Sequence, residues 1–225
     1  MNKLCVSVVA TLALGAAMIV PAGASAAVGD PIVFVHGWSG NTGQWDDMKS
    51  RFTSAGWQSS QMTTVGYSLW TSNTTVAKKI KTAVANLSAA NGGKKVTLIS
   101  HSMGGISTRY YIKSLGGLNT IKTYVSLAGA NHGTNTAYAC MLLGDPGCIE
   151  MLPGSSYLKA LNSGDETPGV INYATWWSQG DGVIIPAPST ILSGAQNTEV
   201  ASLSHLAFLT DDGVGNQTVG YVKSK

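Results

Sequence analysis

The chain has 225 residues, 44% hydrophobic and 11% charged, with 27 glycines and 7 prolines. That composition excludes a disordered, collagen-like or coiled-coil chain and fits one compact domain, able to bury roughly 70% of the surface the unfolded chain exposes. A net charge of +3, one unit of it from Lys3, leaves no basic stripe of the kind a nucleic-acid groove needs, so nucleic acid is not an expected partner.

Met1–Lys3 is a short positive start, Leu4 to Val20 is apolar, and Pro21 to Ala27 is made of small residues ending Ala24-Ser25-Ala26. Residues 1–26 therefore read as a secretory signal peptide, cut after Ala26 or Ala27, and residues 27–225 as the exported domain. The rival is a retained membrane helix, which the small-residue cleavage site disfavours. Cys5 lies too far upstream of the cut to carry a lipoprotein anchor. A secreted monomer without stable membrane insertion is expected. Losing the signal also removes Cys5, leaving Cys140 and Cys148, which read as a disulfide in an oxidising compartment. It closes a short ring around Gly144-Asp145-Pro146-Gly147, worth about 2.5 kcal/mol by chain-entropy arithmetic. The alternative of a zinc site lacks two of its four ligands.

Along the mature chain, Pro31 to His36 is an unbroken apolar run ending in glycine, the signature of a strand buried on both faces. Trp45, Met48, Phe52 and Ala55 then recur at helical spacing after Asn41 and Thr42, with Gly56 as the stop. Val76, Ile80, Val84 and Leu87 form a second helical stripe, entered at Ser72 or Asn73 and ended by Asn91-Gly92-Gly93. Val96 to Ser100 predicts a strand, Ile106 to Leu115 a helix, and Ile121 to Leu127 and Val170 to Trp177 two more strands. The alternation predicts an α/β domain with a mainly parallel central sheet flanked by helices, its functional loops beyond the carboxyl ends of the strands. Gly129 to Gly169 has weak periodicity, is longer than an ordinary connection, and is expected to cover or line a site.

Ser100-His101-Ser102-Met103-Gly104 puts a serine where a buried strand meets a helix, with small residues two before and two after it. This is the pattern of a nucleophile elbow, a turn so sharp that its flanks admit only small side chains. Ser100 stands where glycine is usual, and a plain helix cap is the competing explanation. A serine hydroxyl needs a base and a group that orients the base. In the chain order serine, acid, histidine, His36 and His101 drop out as base, leaving His132 and His205. Only His205 has a well-placed acid before it: Asp181, in a turn just past the strand ending at Trp177, with Asp165 or Glu166 as the runner-up and a simple turn former as the bland reading of Asp181. Two main-chain N–H groups, those of Trp38 in His36-Gly37-Trp38-Ser39-Gly40 and of Met103, are the candidate oxyanion donors, and His36 is expected to brace that loop. No metal or organic cofactor enters this scheme.

The chain resembles the class 2 family of small secreted bacterial lipases, which have the α/β-hydrolase fold. The resemblance rests on Pro31-Ile-Val-Phe-Val-His-Gly-Trp-Ser-Gly, Ile99-Ser-His-Ser-Met-Gly-Gly, Ala128-Gly-Ala-Asn-His-Gly-Thr, Ser193-Gly-Ala-Gln-Asn and His205-Leu-Ala-Phe-Leu. It implies Ser102, Asp181 and His205 as nucleophile, acid and base, Trp38 and Met103 at the oxyanion hole, and hydrolysis of long-chain carboxylic esters such as triacylglycerols through an acyl-enzyme, without a metal or organic cofactor; whether the lipid or ester substrate is met in solution or at an oil-water interface is left open. Met141, Leu142, Leu143, Met151 and Leu152 either contact acyl chains or pack beneath a loop, and the same two readings hold for Trp38 and Trp70. Three alternatives stand beside the lipase reading: a short-chain carboxylesterase, a lipid acyltransferase on the same scaffold, and a non-catalytic lipid-binding module.

Overall fold

Strand β1 (Ile32–Val35) is fully buried because its side chains alternate between two cores: Ile32 and Phe34 face one layer, Val33 and Val35 the other. The structure, a computed structural model, describes residues 28–225; the signal-peptide reading of residues 1–26 lies outside them. The expected first helix divides into a turn of 3-10 helix (Thr42–Trp45), capped by the Asn41 side chain, and α1 (Asp46–Ser54). Strand β2 (Met62–Val65) precedes α2 (Asn73–Ala90), which Ser72 caps by accepting from the Thr75 N–H. Strand β3 (Val96–His101), helix α3 (Gly104–Ser114) and strand β4 (Ile121–Leu127) follow.

The segment read as an irregular insertion carries three short helices, α4 (Ala137–Met141), α5 (Pro146–Met151) and α6 (Ser156–Asn162). They are too short to show a helical period, and side-chain caps on α5 and α6 hold what packing of long apolar stripes cannot. Strand β5 (Asn172–Trp177) starts later than expected: Val170 is exposed and lies outside it. Strand β6 (Gln196–Glu199) and helix α7 (Asp212–Lys223) complete the chain.

The six strands form one sheet in the order β2-β1-β3-β4-β5-β6, every neighbouring pair parallel. Met48 and Phe52 of α1 and Val214 and Val222 of α7 cover one face, and Val76, Ile80 and Val84 of α2 with Ile112 of α3 cover the other. A third cluster joins α3 to the short helices through Met103, Ile106, Ala137, Cys148, Met151 and Leu158. Because all strands share one direction, their carboxyl ends lie along one edge. The chain winds outward from β1 to β2, then crosses to β3 on the other side, which opens a crevice between β1 and β3 at that edge.

Candidate active site

Ser102 follows β3 at φ +57°, a left-handed conformation that costs a side-chain-bearing residue about 1–3 kcal/mol and needs surrounding bonds to hold it. Those bonds are present: its N–H donates to the Leu127 carbonyl (3.1 Å), and its carbonyl accepts from Gly105 (2.9 Å) and Ala130 (3.2 Å). A Cβ at Gly104 would stand 2.5 Å from the His36 carbonyl oxygen and 2.7 Å from that of Val35, so the position has no room for a side chain. Ser100 is buried, its Oγ 3.1 Å from the Tyr124 hydroxyl and 3.3 Å from the Val125 carbonyl. A serine is thus accommodated where glycine is usual because its hydroxyl finds acceptors. Met103, not Ser102, occupies the cap position of α3, and the Ser102 hydroxyl has no hydrogen bond among the described residues. The helix-cap explanation of Ser102 does not hold.

Asp181 and His205 come from the loops after β5 and β6. The Asp181 carboxylate accepts from the main-chain N–H of Val183 (2.9 Å) and Ile184 (2.7 Å) through Oδ1, and the His205 ring Nδ1 donates to Oδ2 at 2.9 Å. Since a carboxylate only accepts, Nδ1 carries a proton, and in the neutral ring the lone pair is on Nε2. His101 donates from Nε2 to the His205 carbonyl (2.9 Å), the two rings 4.4 Å apart. Burial, with the nearby His205 adding to it, pushes the His101 ring down to about 3, so it stays a neutral donor. His36 braces its loop as expected, donating from Nδ1 to the Gly37 carbonyl (2.8 Å) and stacking on Tyr67, whose hydroxyl donates to the His36 carbonyl. The runner-up acid is engaged elsewhere: Glu166 meets His132 Nε2 at 2.6 Å, and Asp165 caps its own turn at Thr167.

The loop after β1 closes over the serine. A Cβ on Gly37 would lie 2.6 Å from Ser102 Cβ and 3.1 Å from its Oγ, so only glycine lets the Trp38 backbone approach so closely. Among the described residues, neither the Trp38 nor the Met103 main-chain N–H has an acceptor. These two donors sit at the ends of β1 and β3, astride the crevice, where they could receive a developing negative charge.

Ser102 and His205 open into one cavity of about 470 Å³, walled mostly by apolar groups that include Trp38, Ala137, Leu143, Met151, Ile184 and Leu206. The insertion's apolar residues divide between the two readings. Leu143 and Met151 line the cavity, Met141 and Leu152 pack into the third cluster, and Leu142 is exposed. Trp38 lines the cavity, whereas Trp70 is exposed and outside its wall.

Cys140 and Cys148 are disulfide-bonded. Between them stands a residue to which the sequence reading gave no role beyond its place in the ring: Asp145 is a buried side chain capping α5, with Pro146 at the first helical position. The Asp-Pro pair was a legible helix start. Among the described residues no three His, Cys, Asp or Glu gather as for a metal ion, and no helix is long and apolar enough to cross a membrane.

The model of the family described as "Lipase (class 2)" matches residues 29–219. Among solved structures, Bacillus licheniformis lipase BlEst2 in its mature form superposes with a TM-score of 0.71 at 17% identity, over 86% of this chain and 90% of that one. Aspergillus fumigatus lipase B gives a TM-score of 0.73 at 16% identity over 85% of this chain, which spans 51% of that protein's length. The product of gene lin2722 from Listeria innocua gives 0.65 at 14% identity, over 88% of this chain and 95% of that one. At such identities the likeness establishes the fold, an α/β-hydrolase with a six-stranded parallel sheet.

Proposed function

The chain belongs to the class 2 lipase family, and we propose that it is a secreted serine hydrolase that cleaves carboxylic esters of acylglycerols through Ser102, His205 and Asp181. Membership makes it a lipolytic hydrolase; the residues and the steps are our reading. The observation that carries it is the convergence on one apolar cavity of a strained, unbonded serine and a histidine whose Nε2 is left free by a buried carboxylate on Nδ1.

In this reading Ser102 Oγ attacks the ester carbonyl carbon while His205 Nε2 takes the hydroxyl proton. The carbonyl oxygen becomes negative beside the Trp38 and Met103 N–H groups, each such donor being worth about 3 kcal/mol of barrier. Collapse breaks the bond to the alcohol, which leaves with the proton from Nε2, and the acyl group stays on Ser102. Water, deprotonated by the same Nε2, then attacks the acyl-enzyme; the bond to Ser102 Oγ breaks, Oγ takes the proton back from Nε2, and the carboxylic acid is released. The apolar wall favours acyl chains over polar acyl groups. Export of residues 27–225 after removal of residues 1–26 is supported by the small-residue run before Ala27 and by the Cys140–Cys148 disulfide.

The test is the initial rate on p-nitrophenyl esters of short and long acyl chains and on emulsified triacylglycerol, for wild type and Ser102→Ala side by side. Long chains and emulsion cleaved only by wild type uphold the reading. Cleavage of short soluble esters alone makes it an esterase; acyl transfer to added glycerol outrunning hydrolysis makes it a transferase. A folded Ser102→Ala variant with near-normal turnover would refute the serine mechanism.

A further inference from the structure

Asp145 joins three segments that the chain keeps far apart. Its Oδ1 accepts from the main-chain N–H of Gly147 (2.8 Å) and Cys148 (3.4 Å) at the start of α5. Its Oδ2 accepts from the Trp38 indole Nε1–H (3.0 Å) and from the Trp70 main-chain N–H (3.1 Å). The carboxylate is 2% exposed, and the ring closed by Cys140 and Cys148 confines it. Four N–H donors converge on this one buried side chain.

We propose that Asp145 is a positioning residue for the oxyanion loop: by holding the Trp38 side chain, it fixes where the Trp38 main-chain N–H points. The inference rests on the proposed part of Trp38 as an oxyanion donor. Apart from the His36 ring, which braces the Gly37 carbonyl (2.8 Å) at the start of the loop, little else tethers it. Gly37 and Gly40 flank it, Ser39 sits at φ +55°, and its own backbone closure is the 3.2 Å bond from Gly40 N–H to the Gly37 carbonyl. A donor displaced by a fraction of an ångström from the oxyanion loses much of its effect, because the bond is made only in the transition state. Anchoring the indole to a carboxylate in the disulfide ring makes the insertion part of the catalytic geometry rather than a cover alone.

Asn at this position is the informative replacement. Its carbonyl can still cap α5, but its amide then presents N–H groups to the Trp38 and Trp70 donors, so the tether is lost while volume is kept. Trp38→Phe removes the same bond from the other side and serves if Asp145→Asn does not fold. The full chain is assayed on one p-nitrophenyl ester as wild type, each single variant and the double, together with the rate at which a serine-directed phosphonate labels Ser102. We expect kcat and the labelling rate to fall about ten- to a hundredfold in each single variant. KM of Asp145→Asn should stay within about twofold and the pH profile should keep its shape, since Asp181 and His205 are untouched. The double variant should be no worse than the poorer single. Unchanged kcat in both single variants, losses that multiply in the double, or an Asp145→Asn effect confined to KM would overturn the inference. If wild type itself neither turns over ester nor is labelled at Ser102, the proposed function fails instead, and the two failures are distinct.

Discussion

His205 and Asp181 are joined twice: the His205 main-chain N–H donates to the Asp181 carbonyl at 2.9 Å, and the ring Nδ1 donates to the Asp181 carboxylate at 2.9 Å. The first bond places the histidine backbone against the acid's own turn; the second sets the ring's tautomer and plane. Both groups are buried, so neither bond competes with water.

Asp181→Asn should therefore damage catalysis far more than folding. The backbone bond survives, but an amide in place of the carboxylate no longer forces the proton onto Nδ1. We expect kcat to fall by about 10⁴ with a near-native circular dichroism spectrum. Steady-state kinetics on a soluble ester decides it, and a loss of less than about tenfold would remove Asp181 from the acid position.

Gly37→Ala should disable the site without unfolding the sheet. The new methyl would press on Ser102 at 2.6 Å from Cβ, and either the loop or the serine must shift. A loss of about a hundredfold in kcat follows from a displacement of that order. Activity near wild type would mean that the loop's closeness to Ser102 does not matter.

Acid should weaken the fold partly through His101. Burial holds this ring neutral down to about 3, while in the unfolded chain it protonates near 6.5. Between those values the unfolded state carries the extra proton, so the stability is complete above pH 6.5 and is lost as pH falls toward 3, with a slope of up to about 1.4 kcal/mol per pH unit. His36, also lowered by burial, adds in the same direction. His101→Gln keeps an N–H for the His205 carbonyl but removes the titration. Urea unfolding at pH 7, 5.5 and 4.5 should show a flatter dependence for the variant; parallel curves would contradict the assignment.

Leu143 lines the cavity and is 66% exposed, so a substitution there tests for a chain-length contact with little structural weight. Leu143→Asp should lower the rate on long-chain p-nitrophenyl esters about fivefold or more relative to the acetate, consistent with lost apolar contact. Equal effects on both substrates would place the acyl chain elsewhere.

The elements legible in the sequence were those whose side chains are buried on two faces or along one stripe. β1, β3 and β4 read as apolar runs, and α2 carried its buried residues at helical spacing with Ser72 as a visible cap. The missed strands sit at the two edges of the sheet. β2 is mostly half-buried and begins Met-Thr-Thr, while β6 is Gln-Asn-Thr-Glu and largely exposed, so neither carries the apolar signal of a buried strand. Helix α7 was hidden by Gly213, Gly215 and Gly220, although Val214, Thr218 and Val222 are buried at intervals of four. At the candidate site, chain order together with the turn just past the strand ending at Trp177 singled out Asp181 and His205, which the fold brings into contact. The bond from Trp38 to Asp145 and the backing of His205 by His101 were not legible, because both depend on contacts between distant segments.

The shared direction of the strands also divides the molecule into a working edge and an idle one. β3 runs six residues from Val96 to His101, a rise of about 17 Å, and the turn before Val96 is the exposed run Gly92-Gly93-Lys94-Lys95. A Cβ at either of those glycines would touch nothing within 4 Å. A fusion partner inserted there, or a solid support coupled through the two lysine amines, would hold the protein by its back and leave the mouth of the cavity turned toward the medium.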